Sequence, residues 1–180
     1  MTAGSLHVAL MRGINVTGKN KLAMRDLAVI FEAAGCDDVR TYIQSGNIVY
    51  RTGAANAKRV PALVTAAIAR DFGYKVPVVA RTAAEFAAAL TANPFLKRST
   101  DPKTLYVAFL AAAPTPAQAA ALDPKRSPAD RFALVGRELY LHLPNGVGGS
   151  KLTNDYLDRR LGTVSTVRNW NTVGKIAALL

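Results

Sequence analysis

The feature that most constrains this chain is an order of strand and helix patterns that occurs twice along its length. In the first half, alternating and β-branched segments are separated by helical apolar stripes, which predicts strands near 5–12, 39–44, 48–51 and 76–81 and helices near 24–34 and 60–72. The second half repeats this β-α-β-β-α-β order without obvious sequence identity, with strands predicted near 105–110, 132–135, 139–143 and 163–167. Because this order is typical of the ferredoxin-like fold, the sequence predicts an α+β protein of two such units, an internal duplication, followed by a C-terminal helix.

The predicted boundaries follow from this order. The first ferredoxin-like unit covers residues 1–82, a connecting helix and loop cover 83–102, and the second unit with the C-terminal helix covers 103–180. A chain of 180 residues is within the range of one domain or two small ones, and it is long enough to bury a sizeable core.

The chain is strongly basic, with 23 Lys and Arg against 12 Asp and Glu and a net charge of +11. Residues 1–92 carry eleven basic and six acidic side chains, and residues 93–180 carry twelve and six. Such an even spread favours an extended positive surface over a basic tail, and therefore anionic partners such as nucleic acid or phosphorylated small molecules. A solvated surface without a binding role is the alternative.

Cysteine usage and hydropathy predict a cytoplasmic protein. Cys36 is the single cysteine, which excludes a disulfide, and no basic stretch precedes the short apolar run at 6–11 as it would in a signal peptide. Residues 104–122 are uncharged and as long as a membrane helix. Pro114 and Pro116 within them favour a strand, a turn and a short helix instead, so no membrane partner is expected.

A loop with two glycines connects the first strand to the first helix. Gly13 to Lys19 matches the G-x-x-x-x-G-K part of a phosphate-binding P-loop, but Asn20 stands where the magnesium-binding Ser or Thr is required. ATP hydrolysis is therefore not expected. The backbone amides, together with Arg12, Lys19 and Lys21, predict an anion-binding loop, and a plain connecting loop is the alternative.

The second half contains two predicted helix caps and no predicted metal site. Ser150 is predicted to cap the helix that follows it, and Asn169 to cap the last helix. The two histidines and the cysteine have no recognised zinc-site spacing, so neither a metal nor an organic cofactor is predicted. His142 alternates with Tyr140 on the strand face away from the leucines, and we expect it to be exposed.

Six blocks of residues, in order and across nearly the whole chain, carry a family resemblance. They are Arg12–Val16, Gly18–Lys21, Tyr42–Asn47, Asn93–Phe95, Ser150–Thr153 and Arg168–Thr172. Together they resemble the bacterial domain-of-unknown-function family 1697. Thr17 stands where that family more usually has glycine, which argues against a need for glycine backbone at this point. The resemblance implies a compact bacterial α+β protein built from two related halves, and it implies no activity, substrate or catalytic residue.

Topology groups the polar loops into two candidate binding clusters. The first strand and the central hairpin turn share one edge of the first sheet, which gathers Arg12, Asn15, Lys19, Lys21, Gln44, Ser45 and Asn47. The corresponding loops of the second half gather Asn145, Ser150, Lys151, Arg168, Asn169 and Asn171.

We predict that the two clusters form one basic cleft that binds nucleic acid or a phosphorylated metabolite, because ligand sites favour concave junctions. Three alternatives stay open. The chain could be an enzyme of unassigned reaction that acts on a phosphate-bearing substrate through Arg, Lys and Asn side chains, or a basic interaction module. The clusters could also be two unrelated sets of loops that only cap helices.

Overall fold

The structure is a computed structural model that describes residues 4–96 and 101–180. Its contacts divide the chain into unit 1, formed by Met1–Ala87 and Ile176–Leu180, and unit 2, formed by Ala88–Lys175. These bounds differ from the predicted ones, because the division falls inside a helix and the last five residues group with the first unit. A guanidinium Nη1 of Arg40 donates to the carbonyl of Leu179 at 3.0 Å, which ties that end to unit 1.

Unit 1 contains one four-stranded sheet, and its helices α1 and α3 pack on one face of that sheet. Its elements are β1 (Ser5–Met11), α1 (Met24–Ala33), β2 (Asp37–Tyr42), β3 (Asn47–Thr52), α2 (Ala54–Ala57), α3 (Val60–Phe72), β4 (Val78–Thr82) and the start of α4 (Ala83–Thr91). The sheet order is β2-β3-β1-β4, and every neighbouring pair is antiparallel. The strand after Pro77 lies at the sheet edge, as expected for a residue that lacks a backbone donor.

The helices of unit 1 form where the apolar periodicity requires them. α3 buries Val60, Val64 and Ile68 on one stripe and ends at Gly73, which adopts the left-handed conformation at φ +71°. α1 buries Leu27 and Phe31 in the same core against the sheet.

Unit 2 has the same strand order and the same pairing. Its elements are the end of α4, β5 (Leu105–Leu110), α5 (Pro116–Ala120), β6 (Arg131–Val135), β7 (Glu138–His142), α6 (Asn154–Leu161), β8 (Ser165–Asn169) and most of α7 (Trp170–Ala177), with short 3₁₀ turns at Pro102–Thr104 and Val147–Gly149. The sheet order is β6-β7-β5-β8, antiparallel throughout. The protein is therefore a mixed α+β fold with two four-stranded antiparallel sheets.

The two sheets also share their hydrogen-bond frame at the end of the first strand. In each unit the backbone amide of the last residue of the first strand donates to the hairpin turn. The amide of the next residue donates to the carbonyl of the residue directly before the edge strand, β4 or β8. The four bonds are Met11 N to Gly46 O (2.9 Å), Arg12 N to Pro77 O (3.0 Å), Leu110 N to Arg137 O (2.9 Å) and Ala111 N to Val164 O (2.8 Å).

Within this frame a buried arginine occupies the same position in both units. Arg81 pairs with Val8 across β4 and β1, and Arg168 pairs with Val107 across β8 and β5. The side chains are 2% and 8% exposed, and each Nη1 donates to the carbonyl of the preceding residue. Matched register and matched burial relate the two halves more closely than their sequences do.

One expectation about unit 2 is wrong. Tyr140 is fully buried, and its hydroxyl donates to the carbonyl of Ala89 at 2.8 Å. His142 on the same strand face is half-buried, with its ring 6.2 Å from that of Phe95. The segment at the end of α4 thus packs on a face that the alternating pattern alone suggested was open.

Cys36 is buried in unit 1, and burial raises the pKa of its thiol to about 11. Burial likewise raises the pKa of Tyr50, whose ring packs against those of His7 and Phe31. Both groups are therefore protonated core residues near neutral pH. Within the residues that the structure describes, no helix is long and apolar enough to cross a membrane.

Candidate functional site

The glycine loop of unit 1 forms a small hairpin. The amide of Lys19 donates to Val16 O at 3.0 Å, and the central residues Thr17 and Gly18 have φ +50° and +77°. This is the pattern of a tight turn with two left-handed central residues. Lys19 therefore lies just past the tip of a hairpin, and α1 begins only at Met24. The arrangement differs from a P-loop, in which the lysine opens a helix that faces the phosphates.

Asn15 holds this hairpin to the turn between β2 and β3. Its Nδ2 donates to Leu22 O and to Gln44 O, both at 2.8 Å, and its Oδ1 accepts from Leu22 N at 2.9 Å. The loop and the turn, which the sequence predicts to be neighbours, are thus in contact in unit 1. The side chain of Asn15 is occupied by these bonds, so its role is to position the loop.

Asn47 and Ser45 stabilise the turn itself. Asn47 is 1% exposed, and its Nδ2 donates to Tyr42 O at 3.1 Å and to Ser45 Oγ at 3.0 Å. Two of the predicted binding residues therefore serve the local structure. Arg12 is half-buried.

The exposed part of this region is a basic and apolar surface, which we call the loop patch. It consists of Val16, Lys19, Lys21, Ile43 and Gln44. Across residues 4–96 and 101–180, neither lysine forms an ion pair. The apolar members Val16 and Ile43 are 51% and 50% exposed. The loop patch thus presents two exposed lysines without an ion-pair partner in the described part of the chain and two exposed apolar side chains.

Backbone strain is concentrated in the same place. Four non-glycine residues of the loop and turn, Asn15, Thr17, Asn20 and Ile43, have φ between +48° and +53°. Left-handed backbone is unfavourable for β-branched residues such as Thr and Ile, and residues of this kind cluster at functional sites. Thr17 thus corrects the sequence-based argument: the position does adopt glycine-like backbone, and threonine tolerates it under strain.

Replacement of Thr17 by glycine tests this strain. We expect Thr17→Gly to raise the free energy of unfolding by up to about 1 kcal/mol, because glycine adopts positive φ without a steric penalty. Thr17→Ala, which keeps a Cβ, should gain less. Urea denaturation followed by circular dichroism measures both, and equal stabilities of the two variants would contradict the strain at this position.

In unit 2, the prediction that Ser150 caps helix α6 is wrong. Its Oγ accepts from Leu152 N at 3.0 Å in a local turn, and α6 begins instead after Thr153, whose Oγ1 accepts from Tyr156 N at 3.3 Å. The cap falls at the hydroxyl residue directly before the first helical turn, three positions further along.

Asn169 and Asn171 act together at the start of α7. The amide of Asn171 donates to Asn169 Oδ1 at 2.9 Å, as predicted for a helix cap. The Nδ2 of Asn169 also donates to Lys103 O at 3.3 Å. Asn169 therefore has a local structural role, and Asn171 is exposed.

Arg168 is buried, with Nη1 donating to Thr166 Oγ1 at 2.8 Å and to Val167 O at 3.0 Å. Burial lowers the pKa of its guanidinium to about 10, which leaves it charged at neutral pH. Arg168 is therefore a charged residue of the protein interior.

The sequence did not predict a second basic cluster in unit 2, which we call the tyrosine patch: Arg126, Lys151, Tyr156 and Arg160. The guanidinium carbons of Arg126 and Arg160 lie 4.1 and 5.7 Å from the centroid of the Tyr156 ring, within reach of cation–π attraction. Arg126 Nε donates to Lys151 O at 3.0 Å.

The helical spacing of Tyr156 and Arg160 is a signal that could have revealed part of this patch. Arg126 comes from a separate loop, and no local pattern places it there. Lys151 thus belongs to the same patch as Arg126 and Tyr156. Among the described residues, no contact links it to Arg168, with which the sequence analysis grouped it. In the two described ranges, no three His, Cys, Asp or Glu side chains lie together as metal ligands would.

The fold and its exposed basic patches define a small mixed α+β protein. A family model described as "Protein of unknown function (DUF1697)" matches residues 5–140, about three quarters of the chain. The chain therefore belongs to this family, which confirms the resemblance drawn from the six blocks. No protein with a curated description matches the sequence.

A solved structure shows the same fold. It is that of the conserved bacterial protein SP0830 from Streptococcus pneumoniae, with a TM-score of 0.72 and 22% sequence identity. The similarity covers 99% of this chain and 99% of that protein. At this identity the likeness extends to the fold alone.

Proposed function

We propose that the protein binds an anionic ligand through the loop patch of unit 1, and that this ligand is nucleic acid. The observation that carries the proposal is the pair of exposed cations, Lys19 and Lys21, on a hairpin that Asn15 fixes to the neighbouring turn. Cations that have no acidic partner can neutralise phosphates and release the counterions condensed on a nucleic acid. The net charge of +11 favours the same encounter over long range.

Nucleic acid is favoured over a phosphorylated metabolite by the chemistry of the surrounding groups. Tight binding of a single phosphate requires several converging donors, and the nearest candidates, Asn15 and Asn47, are engaged in structural bonds. Lysine acts as a point charge, which suits a repeating backbone of phosphates. The exposed Val16 and Ile43 supply apolar contacts to sugars or bases.

The tyrosine patch of unit 2 supports the proposal with further exposed cations at Arg126, Lys151 and Arg160. Arginine contacts phosphates from a planar, multidentate group. That the loops of both halves serve one ligand in a single basic cleft stays a prediction.

Salt dependence tests the proposal. We expect a fluorescently labelled single-stranded 20-mer to bind weakly at low salt, with affinity that falls linearly on a log–log plot against salt. The double substitution Lys19→Ala, Lys21→Ala should make the slope less steep by about 1.4, since each lost phosphate contact on a single strand contributes about 0.7. Fluorescence anisotropy at several salt concentrations measures both quantities.

A control of equal charge separates the patch from net charge. Lys58→Ala, Lys75→Ala removes two exposed lysines of unit 1 outside the loop patch. Identical losses in the two double variants would refute a specific role for the loop patch. A thermal shift on nucleotides or sugar phosphates without any on oligonucleotides would favour the metabolite. Consumption of such a compound would favour the alternative, an enzyme that acts on a phosphate-bearing substrate.

We also propose that the two halves are duplicated ferredoxin-like units. The equal strand order, the shared hydrogen-bond frame and the matched arginines Arg81 and Arg168 support it. The repeat then includes the helix after each edge strand, α4 and α7, so that the predicted connecting helix and the predicted C-terminal helix are counterparts.

A further inference from the structure

Unit 1 contains a groove of about 450 Å³ between α1 and α3, on the side of the sheet that carries the helices. Its α3 wall is a single helical stripe of Arg59, Leu63, Ala67 and Arg70. Its α1 wall is formed by Ile30 and by the end of that helix. The groove is separate from the loop patch, and none of its lining residues is among the candidate binding residues predicted from the sequence.

Small side chains create the groove. Ala33 and Ala34 on one wall and Ala67 on the other leave space between the helices, and beside Gly35 the side chain of Asn56 donates to Ala34 O and Gly35 O. Leu63 remains 37% exposed along it. The groove is therefore accessible, with Ile30, Leu63 and the alanines as its apolar part and Asn56, Arg59 and Arg70 as its polar part.

The charges that line the groove are of one sign. Arg59 and Arg70 lie at the two ends of the α3 stripe, about 16 Å apart along the helix, and no acidic side chain is among the lining residues. Arg70 is engaged by Asp71 through Nε and Nη2 at 2.6 and 2.7 Å. Across the described residues Arg59 has no such partner, which leaves a cation at that end of the groove.

We propose that this groove binds an anionic amphiphile, a small molecule with an apolar body and one sulfonate, carboxylate or phosphate head. The head pairs with Arg59, and the body lies over Leu63 and Ala67 between the helices. The volume is within the range of small-molecule sites, about 300 to 1,000 Å³. A protein partner would need a contact area of over 1,000 Å², much more than a groove of this size offers.

The probe is 8-anilinonaphthalene-1-sulfonate, an aromatic sulfonate that becomes fluorescent in apolar surroundings. We expect saturable binding of one molecule to the native protein. Ala67→Leu and Ala33→Leu fill the groove from opposite walls, and each should weaken binding at least tenfold. Arg59→Gln should weaken it about fivefold, since it removes one solvent-exposed ion pair. The controls Ala66→Leu and Arg25→Gln change exposed residues of the same helices that do not line the groove, and they should have no effect.

Competition identifies the chemistry of the head. Dodecyl phosphate, below its micelle concentration, should displace the probe, and dodecyltrimethylammonium should not. Absence of probe binding, or equal affinity in the filled variants and their controls, would overturn the site. Equal displacement by the two amphiphiles would overturn the role of Arg59. Circular dichroism of each variant excludes unfolding as the cause, and Ala33→Leu, at an exposed position, provides the test should Ala67→Leu not fold.

Discussion

Arg168→Ala is expected to lower the free energy of unfolding by about 3 kcal/mol or more, the range seen when a large core side chain is removed and leaves a cavity. The substitution leaves a cavity at the sheet edge of unit 2 and removes the donor to Thr166 Oγ1 and Val167 O. Urea denaturation followed by the fluorescence of Trp170, which lies two residues away, measures the loss.

Three further variants test the role of the buried arginine. Arg131→Ala removes an exposed arginine of the same sheet and should change stability by less than about 0.5 kcal/mol. Arg168→Met keeps most of the volume and should cost less than alanine. Arg81→Ala, the counterpart in unit 1, should be as damaging as Arg168→Ala. Stability losses for Arg168→Ala no greater than for Arg131→Ala would show that the buried guanidinium does not support the fold.

Gly46→Ala is expected to cost about 3 kcal/mol through two separate effects. A Cβ at this position would lie 2.6 Å from Met11 Cβ and 2.8 Å from Ile14 Cδ1, and both neighbours are fully buried and cannot yield freely. Overpacking of this kind costs about 1 to 3 kcal/mol. The φ of +74° adds about 1 kcal/mol for any residue other than glycine.

Gly18→Ala isolates the second effect. Gly18 has nearly the same φ, +77°, but a Cβ there meets no atom within 4 Å. Gly18→Ala should therefore lower the free energy of unfolding only by the backbone contribution of about 1 kcal/mol. Thermal and urea denaturation of both variants give the difference, and equal losses would mean that Met11 and Ile14 move aside at no cost.

The sequence predicted the elements of this protein well where one local pattern was sufficient. α3 has the predicted limits because an apolar stripe and Gly73 act together, and β5 is found at the predicted residues 105–110. β8 begins two residues later than expected, at Ser165. Strand ends depend on the partner strand, and the partner is not local in sequence.

The candidate site was harder to predict, because burial and strain depend on neighbours that are distant in sequence. Arg168 has the residue type of a binding group, and its charge alone gave no indication that the strand face around it is covered. Thr17 belongs to a type that avoids left-handed backbone, so its conformation followed from the hairpin and not from the residue. Asn15 was assigned to the right place, but the three hydrogen bonds that occupy it could not be anticipated.

The division of the chain also sets an order in which the protein can complete its folding. Unit 2 is one uninterrupted segment, whereas unit 1 needs residues 176–180 in addition to its own long segment. During synthesis those residues leave the ribosome only after the whole of unit 2. The carbonyl of Leu179 that Arg40 binds is therefore missing while unit 2 is being made. Unit 1 can therefore form its sheet and core as it emerges, but it completes this last contact only after residues 88–175 have been made.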